Sequence, residues 1–432
     1  MSTDADAGAT DVLIIGGGIG GLVLALSLHE LGVRCRILEA APEFKPLGVG
    51  INLLPHATRE LAALGLERRL AAVAVTTREA AFFNRFGQLI YREPLGRFAG
   101  YESPQFSIHR GDLHAVLVEA VRERLGADAL VLGHRCTGVE QDAQSVTARF
   151  ADPQSGRPLA ARKGSVAIAC DGVHSVVRKQ LHPNEGPPVY SGVNMWRGVT
   201  RWKPILSGAT MVRAGWLATG KLVVYPIRDN IDAEGRQLAN WLAEIETPQH
   251  ETSDWSRPGR LEDFIGAYAG WRFDWLDAEA FMRAADTILE YPMVDRDPLA
   301  FWTAGRVTLL GDAAHPMVPR GSNGAGQAIL DARTLAGCLA REPDGAAALK
   351  AYEGIRLEAA NKVVLTNRTT PPDVILREVW QRTGDRPFAR IEDVISAAEL
   401  AALSGNYQRI AGYARETLAS RGSLAEAGRS GG

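Results

Sequence analysis

Residues 12–15 are Val12-Leu13-Ile14-Ile15, and the next six are Gly16-Gly17-Gly18-Ile19-Gly20-Gly21. An uninterrupted apolar run reads as a parallel strand buried on both faces. Gly16 then permits a tight turn, Gly18 lets the backbone approach a pyrophosphate, and Gly21 lets helix and strand pack closely. The helix that opens near Ile19 and Gly20 presents free N–H groups and the positive end of its dipole to phosphate. Residues 22–31 continue that helix and Gly32 stops it. Residues 34–38 read as a second strand, which delivers Glu39 and Ala40. Glu39 stands about 20 positions beyond the glycines, where a carboxylate accepts ribose hydroxyls.

A second glycine-acid signature lies far downstream. Arg306-Val307-Thr308-Leu309-Leu310 reads as a buried strand and runs into Gly311-Asp312-Ala313-Ala314-His315-Pro316. Pro319 and the turn Gly321-Ser322-Asn323-Gly324 follow, and Ala325 lies at the head of a helix reaching to residue 339. One dinucleotide fingerprint leaves NAD and FAD undecided; this second signature points to a flavin gripped from both ends. Between them, Val166-Ala167-Ile168-Ala169-Cys170 is another buried strand, ending in Asp171-Gly172 with Ser175 and Arg178 beyond. Asp-Gly is also ordinary turn chemistry. Ser107-Ile108-His109-Arg110 sets an arginine where a helix should start.

At 432 residues the chain can bury a sizeable core and form two domains. A net charge of −2 with no basic block excludes nucleic acid as a partner. Cys35, Cys136, Cys170 and Cys338 lack disulfide-motif or metal spacing, which suits free thiols in a reducing cytoplasm. The nine histidines form no ligand pattern, so no metal is expected. Residues 12–28 carry no charge, but an acidic leader and five interrupting glycines argue against an export signal or membrane span.

Eight of nine tryptophans fall between Trp196 and Trp302, in a stretch with strand-like runs at 195–200 and 222–226. Most should form the core of a β-rich insertion whose sheet makes a wall for a flat ligand. Residues 346–364 and 391–403 read as helices separated by Pro371-Pro372, and the tail 420–432 as disordered.

Taken in order, the glycine fingerprint with its acid, His-Arg-x-x-Leu, Asp-Gly and Gly-Asp-Ala-Ala-His-Pro resemble the class A flavoprotein monooxygenases, the para-hydroxybenzoate hydroxylase type. Three further runs, Pro46-Leu47-Gly48-Val49-Gly50-Ile51-Asn52, Met195-Trp196-Arg197-Gly198-Val199 and residues 291–299, are similar to the pyocyanin-forming phenazine hydroxylase subgroup. The halogenase signature Trp-x-Trp-x-x-Ile-Pro is missing from the sequence. The resemblance implies an α/β fold: a Rossmann-type FAD-binding domain with an inserted β-rich substrate domain and C-terminal helices. The FAD-binding parts would be 9–77, 105–185 and 292–370, the substrate domain 78–104 and 186–291, and the helical region 371–419.

It also implies roles. Gly16, Gly18, Ile19, Gly20, Gly21, Glu39 and Ala40 would hold the ADP half of FAD, and Arg110 the pyrophosphate and ribityl region. Asp312 would accept a ribityl hydroxyl, and Asp171 would serve both FAD and nicotinamide. Gly321, Asn323, Gly324 and Ala325 would frame the flavin's N1–C2=O edge, with the Pro319 carbonyl at its reacting edge and in contact with substrate. The substrate would lie between that edge and the middle-domain sheet, facing Met195, Arg213, Trp216 and Tyr225, with His56 from the loop side; Arg213 would pair with a substrate carboxylate. The glycines of 46–52 would make that loop mobile. The implied activity is hydroxylation of a small aromatic or N-heteroaromatic molecule with NADH or NADPH and O2, through a flavin C4a-hydroperoxide. The cofactor carries that chemistry, so no catalytic triad or carboxylate pair is required. The implied protein is a monomer or homodimer away from membranes. A flavin oxidoreductase without oxygen transfer and a flavin-binding redox sensor are the alternatives.

Overall fold

Val12–Ile15 is the centre of a six-stranded sheet in a computed structural model that describes residues 12–44, 48–248 and 257–420. Pro46, Leu47 and the tail beyond residue 420 lie outside the described residues. The strand order is Thr303–Ala304, Val307–Leu309, Val166–Ala169, Val12–Ile15, Cys35–Leu38, Leu130–Val131. All neighbours are parallel except the Thr303–Ala304 edge. The three motif-bearing strands are therefore adjacent, and their glycine and acidic residues emerge together at one end. Helices Ile19–Glu30, Arg110–Leu125 and Gly324–Arg341 share one apolar core with this sheet.

A second, eight-stranded sheet runs Arg257–Pro258, Ala285–Asp295, Val189–Trp202, Gln237–Glu246, Gly220–Arg228, Thr210–Trp216, Glu79–Phe83, Leu89–Pro94. Strand alternation gives it two different faces. Trp196, Trp241, Val224 and Ala243 point to one side, where Phe264, Tyr268, Trp271 and Phe281 close an aromatic core. Met195, Val223, Tyr225 and Leu242 point to the other side and pack against Val318 of the downstream signature. Most tryptophans are thus core, as expected, and the apolar face toward the nucleotide sheet carries none of that aromatic cluster.

The C-terminal region departs from the sequence reading. The expected helix 391–403 is a short turn at Ile391–Asp393 followed by a helix at Ala397–Ile410. Ser396 sets the start: its side chain accepts the Glu399 N–H at 3.2 Å, the Ser-x-x-Glu pattern that caps helices. An unanticipated helix, Val374–Thr383, follows Pro371-Pro372 directly. Ile375, Leu376, Val379, Ile395 and Leu400 bury themselves against Ala80, Phe82 and Ile90 of the large sheet. Beside this contact Lys221 is fully buried, 2.8 Å from Glu244 and in contact with Asp373, while Arg213 lies 3.1 Å from Asp373.

Candidate active site

The glycine turn is built by exclusion. Gly16 has φ +108°, and a Cβ there would stand 2.4 Å from Cys170 O; a Cβ on Gly21 would stand 2.1 Å from Gly16 O. Gly20 meets Leu310 in the same way, at 2.7 Å. These three glycines let the first helix, the Asp171 strand and the Asp312 strand close on one another. Gly18 differs, because nothing lies within 4 Å of its would-be Cβ. It is the N-cap of helix Ile19–Glu30 and has no side-chain cap, so the first-turn N–H groups are left without a capping acceptor. Gly18, Ile19, Gly20, Glu39 and Ala40 are all half-buried, a strip that surfaces at the strand ends.

Glu39 accepts Gly17 N–H at 2.6 Å and Ala41 N–H at 2.7 Å. Each carboxylate oxygen keeps capacity for another donor, such as a ribose hydroxyl. Arg110 begins its helix, as expected, and is exposed beside Gly48; its guanidinium has no partner among the described residues. His114, one turn further, places Nε2 2.8 Å from Gly17 O. Sequence reading passed over His114, although its spacing from Arg110 put it on the same helical face.

Asp171 ends the central strand. Oδ2 accepts Val176 N–H at 2.9 Å, while Oδ1 is buried with no hydrogen bond among the described residues. Burial pushes this carboxyl above the usual range. Arg178 fixes the relation to the downstream signature: its Nη1 donates to Ala313 O at 3.0 Å and Ala314 O at 2.7 Å, and Glu185 takes the rest of the guanidinium. Asp312 is exposed, forms no bond with any described residue, and lies 3.9 Å from the would-be Cβ of Gly324 at the N-terminus of helix Gly324–Arg341. His315 serves that helix instead, with Nε2 2.5 Å from buried Asp331, which Arg356 also holds at 2.7 Å. Burial alone would raise the Asp331 carboxyl, but its contacts with His315 and Arg356 keep it below its ordinary value.

An uncapped helix end over an open glycine, an orphaned buried carboxylate oxygen and an unpaired exposed aspartate converge at the ends of three adjacent strands. That donor set suits FAD, with phosphates at the helix end and hydroxyls at Glu39 and Asp312.

The remaining loop is fixed from behind. Asn323 donates to Gly321 O at 3.0 Å and to the Tyr407 hydroxyl at 2.9 Å, and Tyr407 donates to Asn367 Oδ1 at 2.6 Å. Pro319 and Ala325 are half-buried at either end of this loop. The expected mobile loop is anchored at its far end: Gly50–Leu53 is a strand, and Gly50 receives hydrogen bonds from Tyr225 at 2.8 Å and Arg197 at 2.7 Å and donates to Asn240 at 2.7 Å.

The five substrate candidates separate. Met195 and Tyr225 are buried on the sheet face with Val318, and half-buried Trp216 packs on the same cluster. The Tyr225 hydroxyl is engaged with Gly50. Arg213 is paired with Asp373, so its carboxylate partner is one of the protein's own. His56 is 1 % exposed, stacks on Tyr413 with ring centroids 5.4 Å apart and packs against Gly326 in the first turn of helix Gly324–Arg341. Burial and the Arg356 cation pull its pKa down to about 3.

Among the described residues no helix is long and apolar enough to cross a membrane. The family profile described as FAD binding domain matches residues 9–203 and 293–367. A phenazine 1,6-dicarboxylic acid hydroxylase of Lysobacter antibioticus is 40% identical over 405 residues, covering 93% of this chain and 97% of its own. A 6-hydroxynicotinate 3-monooxygenase of Bordetella bronchiseptica is 30% identical over 88% of this chain and 94% of its own. Klebsiella pneumoniae HpxO, solved with FAD and uric acid, matches with a TM-score of 0.74 at 25% identity, covering 95% of this chain and 97% of that one. The chain belongs to the FAD binding domain family and is a flavin-dependent aromatic hydroxylase working with FAD and NAD(P)H.

Proposed function

We propose that the enzyme hydroxylates a small, electron-rich aromatic or N-heteroaromatic ring seated between the Met195 face of the large sheet and the Pro319 loop. One ring C–H becomes C–OH, the second oxygen atom of O2 leaves as water, and NADH or NADPH gives up a hydride. The observation that carries this reading is the convergence of the unpaired Asp312, the helix end at Gly324 and the apolar face that packs on Val318. FAD, when bound, supplies the redox chemistry that links nicotinamide to O2.

The chain's own residues bind and arrange. Gly18, Ile19 and Gly20 offer backbone N–H groups to the pyrophosphate, with Arg110 adding charge, while Glu39 and Ala40 receive the ribose. Asp312 and Asp171 take hydroxyls. Gly321, Asn323, Gly324 and Ala325 bring a helix N-terminus to the edge of the isoalloxazine, where its dipole favours negative charge. Met195, Val223 and Leu242 keep water from the reacting face, and the Pro319 carbonyl orients a ring hydroxyl. Four free thiols support a reducing cytoplasmic setting, and a monomer or homodimer is the expected assembly.

The test is NADH and NADPH oxidation by the purified yellow protein with and without a panel of aromatic acids, phenols and N-heterocycles, with 18O2 to follow oxygen. Ring-stimulated oxidation with one labelled oxygen in the product is expected. Turnover without a ring would instead mark an oxidoreductase without oxygen transfer, and negligible turnover a redox sensor.

A further inference from the structure

A cleft of about 350 Å³ opens where three parts of the chain meet: the large sheet, the loop after Pro319, and the junction of helices Gly345–Thr369 and Val374–Thr383. That volume is within the range of small-molecule sites, roughly 300–1,000 Å³. Val193, Trp216 and Leu217 form its apolar wall, and all three belong to the cluster that includes Met195, Tyr225 and Val318. The cleft thus borders the apolar cluster assigned to the ring.

Its charge is one-sided. Arg320, Arg368 and Arg377 line it, against a single exposed carboxylate, Glu246. Arg368 is neutralised by Asp295, at 2.8 and 2.9 Å, and by Asp297 at 2.8 Å. Arg377 reaches Thr369 O at 3.3 Å and Glu378 at 3.7 Å. Arg320 makes no ion pair or hydrogen bond among the described residues, and its Nε is buried without an acceptor. A half-buried guanidinium with a desolvated, unsatisfied Nε is costly unless an anion completes it. It also follows Pro319 directly in sequence. A planar fork there fits a carboxylate in two parallel hydrogen bonds, while Trp216 supplies apolar surface beside it for an attached ring.

We infer that Arg320 is a specificity-determining residue that docks a carboxylate of the aromatic substrate, so the substrate class is an aromatic or N-heteroaromatic acid. This rests on the hydroxylase reading above and narrows it. Sequence reading gave the carboxylate to Arg213; Asp373 occupies Arg213, and Arg320 takes that role.

The test uses the FAD-loaded enzyme, with phenazine-1,6-dicarboxylate and its neutral diamide as probes, followed by perturbation of the flavin absorbance. Arg320→Ala should weaken dicarboxylate binding about 10- to 100-fold, as loss of a charged bidentate contact does. Diamide affinity and FAD content should stay unchanged, and Arg320→Lys should fall between the two. Arg320→Gln, which keeps a polar side chain, provides the same comparison should the alanine variant be unstable. Equal affinity of wild type and variants for the dicarboxylate overturns the inference. So does a raised KM for NADH with acid binding intact, which would assign Arg320 to the nicotinamide nucleotide. So does a wild-type enzyme that hydroxylates only neutral rings, which leaves the hydroxylase reading standing. Tight, Arg320-dependent acid binding with peroxide but no hydroxylated product would support Arg320 and sink the hydroxylase reading.

Discussion

The Tyr407 hydroxyl lies 1.5 Å from the point where a Cβ on Gly321 would stand. A residue of helix Ala397–Ile410 thereby fills the space left by a glycine of the loop 319–325. Through Asn323 and Asn367 it holds that loop to helix Gly345–Thr369. Removing the hydroxyl alone, in Tyr407→Phe, leaves two buried amides short of a partner and should cost about 1–3 kcal/mol. We expect a lower melting temperature together with more peroxide and less product per NADH. A lower melting temperature with unchanged coupling would show a purely structural tie.

Gly16 and Gly18 should respond oppositely to the same methyl group. Gly16→Ala forces a positive φ and a backbone clash, so soluble protein should be lost. Gly18 has φ −73° and an open cradle. Gly18→Ala should therefore leave the apoprotein's melting temperature within a degree or so of wild type while weakening FAD, as titrated by fluorescence quenching.

Glu39 and Asp312 separate in a similar way. Asp312 bonds to nothing else in the described protein, so Asp312→Asn should raise the FAD dissociation constant about tenfold with apoprotein stability unchanged. Glu39→Gln should weaken FAD binding and lower apoprotein stability together, because Glu39 also holds Gly17 and Ala41 in place. Matching effects from the two substitutions on stability would argue against these assignments.

Asp373→Asn removes the anion shared by Lys221 and Arg213. With both cations buried, a loss of about 3–5 kcal/mol is expected. Limited proteolysis should then cut first between residues 371 and 420, where the helices rest on this pair.

His56 makes stability depend on pH. Its folded pKa of about 3 lies below the ordinary value of 6.5, so the unfolded chain takes up a proton that the folded one refuses. Stability from this group is complete above pH 6.5 and falls as pH drops toward 3. Between pH 7 and 5 the loss should be about 2 kcal/mol in urea melts, and His56→Gln should remove that share of the slope.

What could be read from sequence was local. Gly16, Gly21, Glu39 and Asp312 announce themselves because a strand end, a turn and a helix start fall within a few residues of each. Ser396 was equally legible, since its Ser-x-x-Glu spacing marks a helix start, yet the helix reading began at Ile391. Arg178, Asp373 and Tyr407 carry no such local mark. Their partners lie 135, 152 and 40 residues away, and only the folded chain joins them. Strand character at 195–200 and 222–226 was visible too, but not which face Arg213 would share with Asp373, nor that Tyr225 would hold Gly50.

The placement of Val166–Ala169 has a consequence for biosynthesis. All four of its side chains are buried, and it needs Val12–Ile15 on one side and Val307–Leu309 on the other. A ribosome adding about 5–20 residues per second releases the first neighbour early and the second some 7–30 seconds after Val166–Ala169 itself. During that interval the nascent chain displays a bare apolar strand edge. Its yield in a cell should depend on a chaperone covering that edge until the Asp312 signature emerges.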